Sequence, residues 1–208
     1  MSTTDEAPAP AAVAASIADP APLGLAAFAL TTFLLSAVNA GWATTSTGNQ
    51  WIGYAFFYGG LVQLLAGMWE FKNRNVFGST AFSTYGGFWL GLGLWAVLIA
   101  PHAVSATAAD KDLGWILLAF AIFNTYMMIF ATQVNAAVFT VFLTLELTEI
   151  FLFIGGFSAN STITKVGGYI GVITALAAWY TSAAGVINGM KGSLVLPVGK
   201  PLMNLGRS

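Results

Sequence analysis

The stretch ADPAPLGLAAFALTTFLLSAVNA, residues 18–40, carries the pattern that decides the fold. After Asp19 the next charged residue is Glu70, so the stretch is apolar and free of charge to its end. A hydrocarbon core about 30 Å thick is crossed by about twenty helical residues, since each residue adds 1.5 Å. The stretch therefore predicts a transmembrane helix.

Five further stretches of the same kind follow it. The chain has 208 residues, of which 57% are hydrophobic and only 7% are charged, and this leaves too little polar surface for a soluble globule. The sequence thus predicts an all-α integral membrane protein with six transmembrane helices. The predicted spans are residues 24–43, 51–69, 80–99, 113–133, 136–156 and 166–187.

The positive charges predict the orientation of the six spans. With an even number of spans both termini lie on one side, and five Lys and Arg residues fall on that side against two on the other. The positive-inside rule then places both termini in the cytoplasm, in a multi-pass protein of the cytoplasmic membrane. The five are Lys72, Arg74, Lys191, Lys200 and Arg207, and the two are Lys111 and Lys165.

The two ends of the chain are predicted to lie outside the membrane domain. Residues 1–18 are rich in Ala, Pro and Ser and lack the basic start and continuous apolar core of a signal peptide, so they are predicted to be a disordered tail. The transport domain is predicted to span residues 19–190. Residues 191–208 are predicted to be a cytoplasmic tail.

Composition sets aside several functional classes. A net charge of −1 with seven scattered Lys and Arg residues gives no reason to expect a nucleic-acid partner. The chain has no cysteine, which excludes thiolate nucleophiles and sulfur-ligated metals. It shows no Ser-His-Asp order and no phosphate-binding glycine loop. We therefore predict that the protein is not an enzyme and needs no cofactor or metal.

The prolines at the head of the first span fit the start of a helix. The first turn of a helix has N–H groups without internal partners, so Pro20 and Pro22 cost nothing there. Asp19 is then predicted as the N-cap. Such a start turns free amides and the positive end of the helix dipole toward the mouth of the span, where an anion can bind. The plainer explanation is that a membrane helix needs a sharp beginning.

Polar side chains recur along one face of several spans. Thr32, Ser36 and Asn39 follow one another at helical spacing in the first span. Such stripes are often only interhelical hydrogen bonds, but over three helices they predict a small polar conduit. The matching positions are Gly60, Gln63, Gly67 and Glu70 in the second span and Thr80, Thr84, Gly87 and Gly91 in the third.

Small residues and tryptophans predict packing and anchoring. Small side chains let membrane helices approach closely, and indole rings favour the membrane interface. A predicted packing seam on the sixth span consists of Gly171, Ala175, Ala178, Ser182 and Gly185. The tryptophans predicted as interfacial anchors are Trp42, Trp51, Trp69 and Trp115.

Two motifs resemble those of a known family. The run DPAPLGLAAFALTT is similar to the NPAPLGL signature of the acetate uptake transporter family, the succinate-acetate permeases of bacteria and their fungal relatives. The run YGGLVQLLAGMWEFKNRNVFGSTAFSTYGGFW, residues 58–89, resembles the second and third spans of that family with their connecting loop, and NAGW at 39–42 also fits. The resemblance covers all six predicted spans.

The resemblance implies a homo-hexamer of six-helix protomers in membrane lipid, with a pore through each protomer for acetate, related short monocarboxylates or succinate. It also implies a hydrophobic constriction that carries over to Phe28, Tyr85 and Leu145, and such a ring gates by dewetting. The signature near the mouth carries over to Asp19, Pro20, Ala21, Pro22, Leu23, Gly24 and Leu25. The expected substrate path also includes Thr32, Asn39, Gln63, Glu70 and Asn75.

The chain departs from the family pattern at two places. Asp19 stands where the family usually has Asn, and its charge improves a helix cap but repels an arriving carboxylate. Glu146 and Glu149 stand in a span that the family fills with apolar residues. Each acidic group at mid-bilayer costs about 3 kcal/mol, and two groups within one turn will not both ionise when buried. They predict either a proton relay or a hydrogen-bonded clasp, to a neighbouring subunit or to Asn124 and Gln133.

Four functional readings follow from these residues. The leading one is a channel-like passage of acetate. Family membership leaves open a proton-coupled monocarboxylate symporter, and a membrane protein that binds acetate without moving it is a further alternative. A membrane enzyme would use Glu146 and Glu149 as acid and base, but no span contains His or Cys and the chain has no soluble substrate domain.

Overall fold

The computed structural model describes residues 17–43 and 49–203. Within these residues it has six helices that are long and apolar enough to cross a membrane, and it has no strand. The prediction of an all-α protein with six spans is confirmed. The helices are α1 (Ala21–Asn39), α2 (Ile52–Lys72), α3 (Val76–His102), α4 (Ala106–Ala131), α5 (Ala136–Ser158) and α6 (Ser161–Lys191).

The predicted terminal tails are only partly described. Of the tail at residues 1–18, residues 1–16 lie outside the described part of the chain, and so do residues 204–208 of the C-terminal tail. The described C-terminal segment folds back on the bundle, since the N–H of Leu202 donates to the Thr132 carbonyl oxygen at 2.8 Å. A second hydrogen bond holds the segment, because the N–H of Ala137 in α5 donates to the Val198 carbonyl oxygen at 2.9 Å.

Several helices are longer than their predicted spans because polar caps start them outside the apolar stretch. Helix α4 begins at Ala106 and not at the predicted residue 113. Ser105 caps it, because the Ser105 hydroxyl oxygen accepts the Ala108 N–H at 3.1 Å. Helix α6 begins after Asn160, whose side-chain oxygen accepts the N–H of Thr162 at 3.0 Å. Charge-free length therefore locates a span but underestimates its helix.

The head of α1 differs by one residue from the predicted cap. The helix begins at Ala21 with Pro20 in the N-cap position, and Gly24 donates its N–H to the Pro20 carbonyl oxygen at 3.1 Å. Asp19 still serves the first turn, because its Oδ1 accepts the Ala21 N–H at 3.0 Å. Both prolines stand where a missing N–H removes no helical hydrogen bond.

The six helices form a ring around a narrow interior. Helix α1 packs most extensively on α6, which packs on α5, and α5 packs on α4. On its other side α1 contacts α2, which packs on α3, and lighter contacts between α3 and α4 close the ring. The interior is therefore bounded by α1, α3, α4 and α5.

The predicted seam of small residues on α6 packs against α1. A Cβ added to Gly171 would collide with the Ser36 side chain, and one added to Gly185 would lie 2.8 Å from Pro22 Cγ. The Ser182 hydroxyl donates to the Pro22 carbonyl oxygen at 2.6 Å. Close backbone approach thus joins the first and last helices.

Three of the four tryptophans predicted as anchors are exposed near helix ends. Trp42, Trp69 and Trp115 are 52%, 50% and 65% exposed. The prediction was wrong for Trp51, which is only 7% exposed. It belongs to the hydrophobic core, because the start of α2 turns the indole toward the bundle. There it lines the larger of the two cavities described below.

Candidate substrate pathway

A small cavity lies inside the ring between α1, α3, α4 and α5; we call it the inner cavity. Its volume is about 40 Å³, which is room for about three water molecules at 10–15 Å³ each. Its lining includes Phe28, Thr32, Tyr85, Trp89, Leu145 and Glu149.

The three residues that resemblance assigns to a constriction meet at this cavity. Phe28, Tyr85 and Leu145 are 5%, 3% and 7% exposed and come from three different helices. The rings of Phe28 and Tyr85 pack edge to face, with their centroids 5.8 Å apart. Two aromatic rings and a leucine therefore lie together at one small cavity, which is the arrangement expected of a hydrophobic gate.

A larger cavity continues from the inner cavity toward the end of the bundle where α1 ends and α6 begins; we call it the outer cavity. Its volume is about 380 Å³. The two cavities share the lining residues Leu35, Asn39, Leu117 and Leu152. The outer cavity reaches exposed Lys165, so the two adjoining cavities together extend from the surface to Phe28.

A buried amide ties three helices together beside the inner cavity. Asn124, on α4, is completely buried. Its Oδ1 accepts the Tyr85 hydroxyl proton at 3.0 Å, and its Nδ2 donates to the Phe142 carbonyl oxygen at 2.9 Å and to Glu146 Oε2 at 2.7 Å. Every polar atom of this amide thus has a partner, which is what burial demands.

The two glutamates of α5 have different surroundings. Glu146 accepts two hydrogen bonds, from Asn124 and from the Thr125 hydroxyl, whose oxygen lies 2.8 Å from Glu146 Oε1. Glu149 has one oxygen, Oε1, at 3.3 Å from the Tyr85 hydroxyl. Its other oxygen, Oε2, is buried and has no hydrogen-bond partner among the described residues.

Two further lining residues of the inner cavity carry unpartnered polar atoms. The Thr32 Oγ1 and the Trp89 Nε1 are buried, and neither makes a hydrogen bond within residues 17–43 and 49–203. Buried polar groups without partners are uncommon and call for an explanation. A polar ligand in the cavity would supply the missing partner.

The signature and second-span residues lie elsewhere. Asp19 is exposed and, with Pro22 and Leu23, lines a surface groove of about 620 Å³ between the start of α1 and the end of α6. Glu70 is fully buried at the turn between α2 and α3, where its Oε1 accepts the Asn75 side-chain N–H at 3.0 Å. Neither Glu70 nor Asn75 is among the lining residues of the inner cavity.

Gln63 and Asn39, both expected on the substrate path, lie in different places. Gln63 is only 1% exposed and lies within α2, and its Oε1 has no partner in the described chain. Asn39 lines both cavities at the last residue of α1. The polar stripe of α1 therefore borders the route, whereas that of α2 packs inside the bundle.

Sequence reasoning missed Trp89 and assigned no pathway role to it. The sequence did contain a signal that Trp89 lines the same cavity as Tyr85, because residues four apart share one face of a helix. The residue was overlooked because an indole in a membrane span resembles any other large apolar side chain.

These features define a multi-pass helical membrane protein with adjoining cavities inside its bundle, an architecture found in channels and transporters. The sequence model of the GPR1/FUN34/yaaH family matches residues 3–201. The chain belongs to this family.

The relatives and one solved structure agree with this assignment. Acetate permease A of Emericella nidulans is 40% identical over 202 residues, which cover 89% of this chain and 67% of the longer fungal protein. The succinate-acetate/proton symporter SatP of Escherichia coli K12 is 38% identical over 186 residues, which cover 88% of this chain and 96% of that protein. The structure of the bacterial acetate channel SatP matches with a TM-score of 0.81 at 34% identity, and covers 88% of this chain and 100% of that one.

Proposed function

We propose that the protein carries acetate and related short carboxylates, succinate among them, across the membrane through a pore in each protomer. The observation that carries this proposal is the meeting of Phe28, Tyr85 and Leu145 at an inner cavity that continues into the outer cavity. The relatives, an acetate permease and a succinate-acetate/proton symporter, support the same substrates. They also favour a transporter over an enzyme.

An apolar constriction suits this class of substrate. Water leaves a narrow apolar passage readily, which raises the barrier for a strongly hydrated inorganic ion. Acetate has a methyl group that can contact Phe28 and Leu145, while its carboxyl group uses polar side chains of the same cavity. The constriction therefore selects small amphiphilic acids.

The assembly and placement are part of the proposal. We place the protein in the cytoplasmic membrane as a homo-hexamer, with both termini in the cytoplasm and residues 19–190 as the transport domain. The outward faces of the helices suit contact with lipid or a neighbouring subunit, since apolar side chains such as Phe57, Ile122 and Leu176 are 70%, 65% and 55% exposed. The charge excess on the side of the termini supports the orientation.

Uptake of labelled acetate into proteoliposomes tests the transport function. We expect uptake above that of protein-free liposomes, and we expect Phe28→Ala to raise acetate uptake several-fold and to let chloride pass. The reason is that loss of the ring widens the constriction at its aromatic pair. A matched control is Phe71→Ala, because Phe71 is 60% exposed on the outside of the bundle.

Two outcomes would count against this account. Uptake no higher than in protein-free liposomes would favour a protein that binds acetate without moving it. Acetate and chloride fluxes that are the same in wild type, Phe28→Ala and Phe71→Ala would remove Phe28 from the path.

A further inference from the structure

The hydrogen bonds around Tyr85 determine where one proton lies. The Tyr85 hydroxyl has a single proton, and two oxygens face it: Asn124 Oδ1 at 3.0 Å and Glu149 Oε1 at 3.3 Å. The amide of Asn124 cannot be turned over, because its Nδ2 faces the Phe142 carbonyl oxygen, which only accepts. Asn124 Oδ1, the nearer of the two oxygens, therefore takes the tyrosine proton. The buried Glu149 carboxyl is then left without a donor from the described residues on either oxygen, and burial without donors favours its neutral, protonated form.

The second glutamate is held differently. The Asn124 amide donates to Glu146 Oε2 at 2.7 Å, a hydrogen bond that stabilises a carboxylate and that Glu149 lacks. The single proton of the Thr125 hydroxyl faces both Glu146 Oε1 at 2.8 Å and the Ala121 carbonyl oxygen at 2.9 Å. Two carboxyl groups within one helical turn do not both ionise in a buried setting, and pairs whose surroundings differ take different roles. Of the two carboxyl groups, Glu149 is therefore the protonated one.

The inner cavity offers hydrogen bonds but no positive charge. Its lining includes no Lys or Arg, while the unpartnered atoms of Thr32 and Trp89 are an O–H and an N–H. An acetate anion needs such donors for its two oxygens, yet without a counter-charge it would enter as an unpaired buried ion. The proton on Glu149 removes this cost, because a neutral acid crosses an apolar constriction more easily than its anion.

On the basis of the proposed transport function, we propose that Glu149, Thr32 and Trp89 form a carboxyl-binding site at which Glu149 gives its proton to the substrate. As the O–H bond of Glu149 breaks and an O–H bond forms on the substrate carboxylate, a proton from the outside solution reaches Glu149 through water in the outer cavity. Glu149 is neutral again when the protonated substrate moves on, so no unpaired charge stays in the inner cavity. One proton thus moves with each carboxyl group, and the transport of acetate is electroneutral.

The groups that face Glu149 are compatible with this cycle. Tyr85 faces it from α3, and Glu146 lies one turn away on α5. The lining residues that α1 and α4 contribute to the inner cavity include no titratable side chain. The charged residues of the outer cavity, Asp110 and Lys165, lie at its exposed end, where α4 and α6 begin.

The test measures the charge that moves with labelled acetate in proteoliposomes. An anion that crosses alone accumulates about tenfold for each 59 mV or so of inside-positive potential. Electroneutral uptake does not depend on the membrane potential and increases with an inward proton gradient. We expect wild-type protein to behave in the second way. We expect Glu149→Gln, which keeps the size of the side chain and its contact with Tyr85, to lose the proton-gradient response.

Two controls separate this site from the fold. Asp112→Asn is the matched variant, because Asp112 is an exposed carboxyl outside the linings of both cavities, and it is expected to keep the wild-type response to the proton gradient. Thr32→Val, which removes only a hydroxyl, is expected to raise the half-saturating acetate concentration several-fold while uptake stays indifferent to potential. The second variant keeps the site testable if Glu149→Gln does not fold.

The proposal is overturned if wild-type accumulation follows potential about tenfold per 59 mV or so, as expected for an anion channel. It is also overturned if Glu149→Gln keeps its proton coupling. The absence of uptake by every variant would instead defeat the proposed transport function, so the two failures are distinguishable.

Discussion

Leu145→Trp is expected to reduce acetate uptake into proteoliposomes at least tenfold. Leu145 is 7% exposed and lines an inner cavity of only about 40 Å³. An indole at this position fills the space that the substrate must cross between Phe28 and Tyr85. The initial rate of labelled acetate uptake, per protein reconstituted, is the quantity to measure.

The matched control is Leu147→Trp, two residues further along α5. Leu147 is 40% exposed and points away from the cavity, so we expect uptake close to wild type. Overpacking a core costs about 1–3 kcal/mol, and a thermal unfolding curve in detergent shows whether the blocked variant is still folded. A folded Leu145→Trp protein with undiminished uptake would remove the constriction from the route.

Asn124→Leu is expected to lower the free energy of unfolding by about 2 kcal/mol and to abolish normal acetate uptake. The substitution removes three interhelical hydrogen bonds, and such bonds average about 0.6 kcal/mol each in membranes. It also takes from Tyr85 its nearer acceptor and from Glu146 its amide donor. The Tyr85 hydroxyl then keeps only the longer contact with Glu149 at 3.3 Å, so the aromatic half of the constriction is held less firmly.

The control for this variant is Thr144→Val on the neighbouring helix. Among the described residues, the Thr144 hydroxyl bonds only to carbonyl oxygens of its own helix, at Thr140 and Val141. We expect a change within a few tenths of a kcal/mol. Equal unfolding midpoints for Asn124→Leu, Thr144→Val and wild type would show that the amide does not hold α3, α4 and α5 together.

The six spans were predictable because hydropathy and charge alone locate membrane helices. Their ends were not, since Ser105 and Asn160 start helices several residues before the apolar stretches begin. The seam of small residues was also predictable, because residues such as Gly171 and Ser182 repeat at helical spacing. Trp51 shows the limit, since the same residue type serves at an interface or in a core.

The site was predictable in part. Resemblance assigned Phe28, Tyr85 and Leu145 together, and the structure brings these residues to one cavity. Spacing could not separate the two glutamates, although positions three apart differ by about 60° around a helix. That rotation turns Glu146 toward Asn124 and Glu149 toward Tyr85, and only the packing of α3, α4 and α5 reveals it.

The most direct test of the route uses a single cysteine, because the natural chain has none. Leu152 lines both the inner and the outer cavity, and Ile154 on the same helix is 41% exposed on the outside of the bundle. Leu152→Cys is treated with a small, charged, water-soluble thiol reagent, and labelled acetate uptake is then measured beside Ile154→Cys. We predict that modification of Leu152→Cys stops uptake and that acetate slows the modification, while Ile154→Cys keeps its uptake. A fully modified Leu152→Cys protein that transports acetate at the untreated rate would contradict the account.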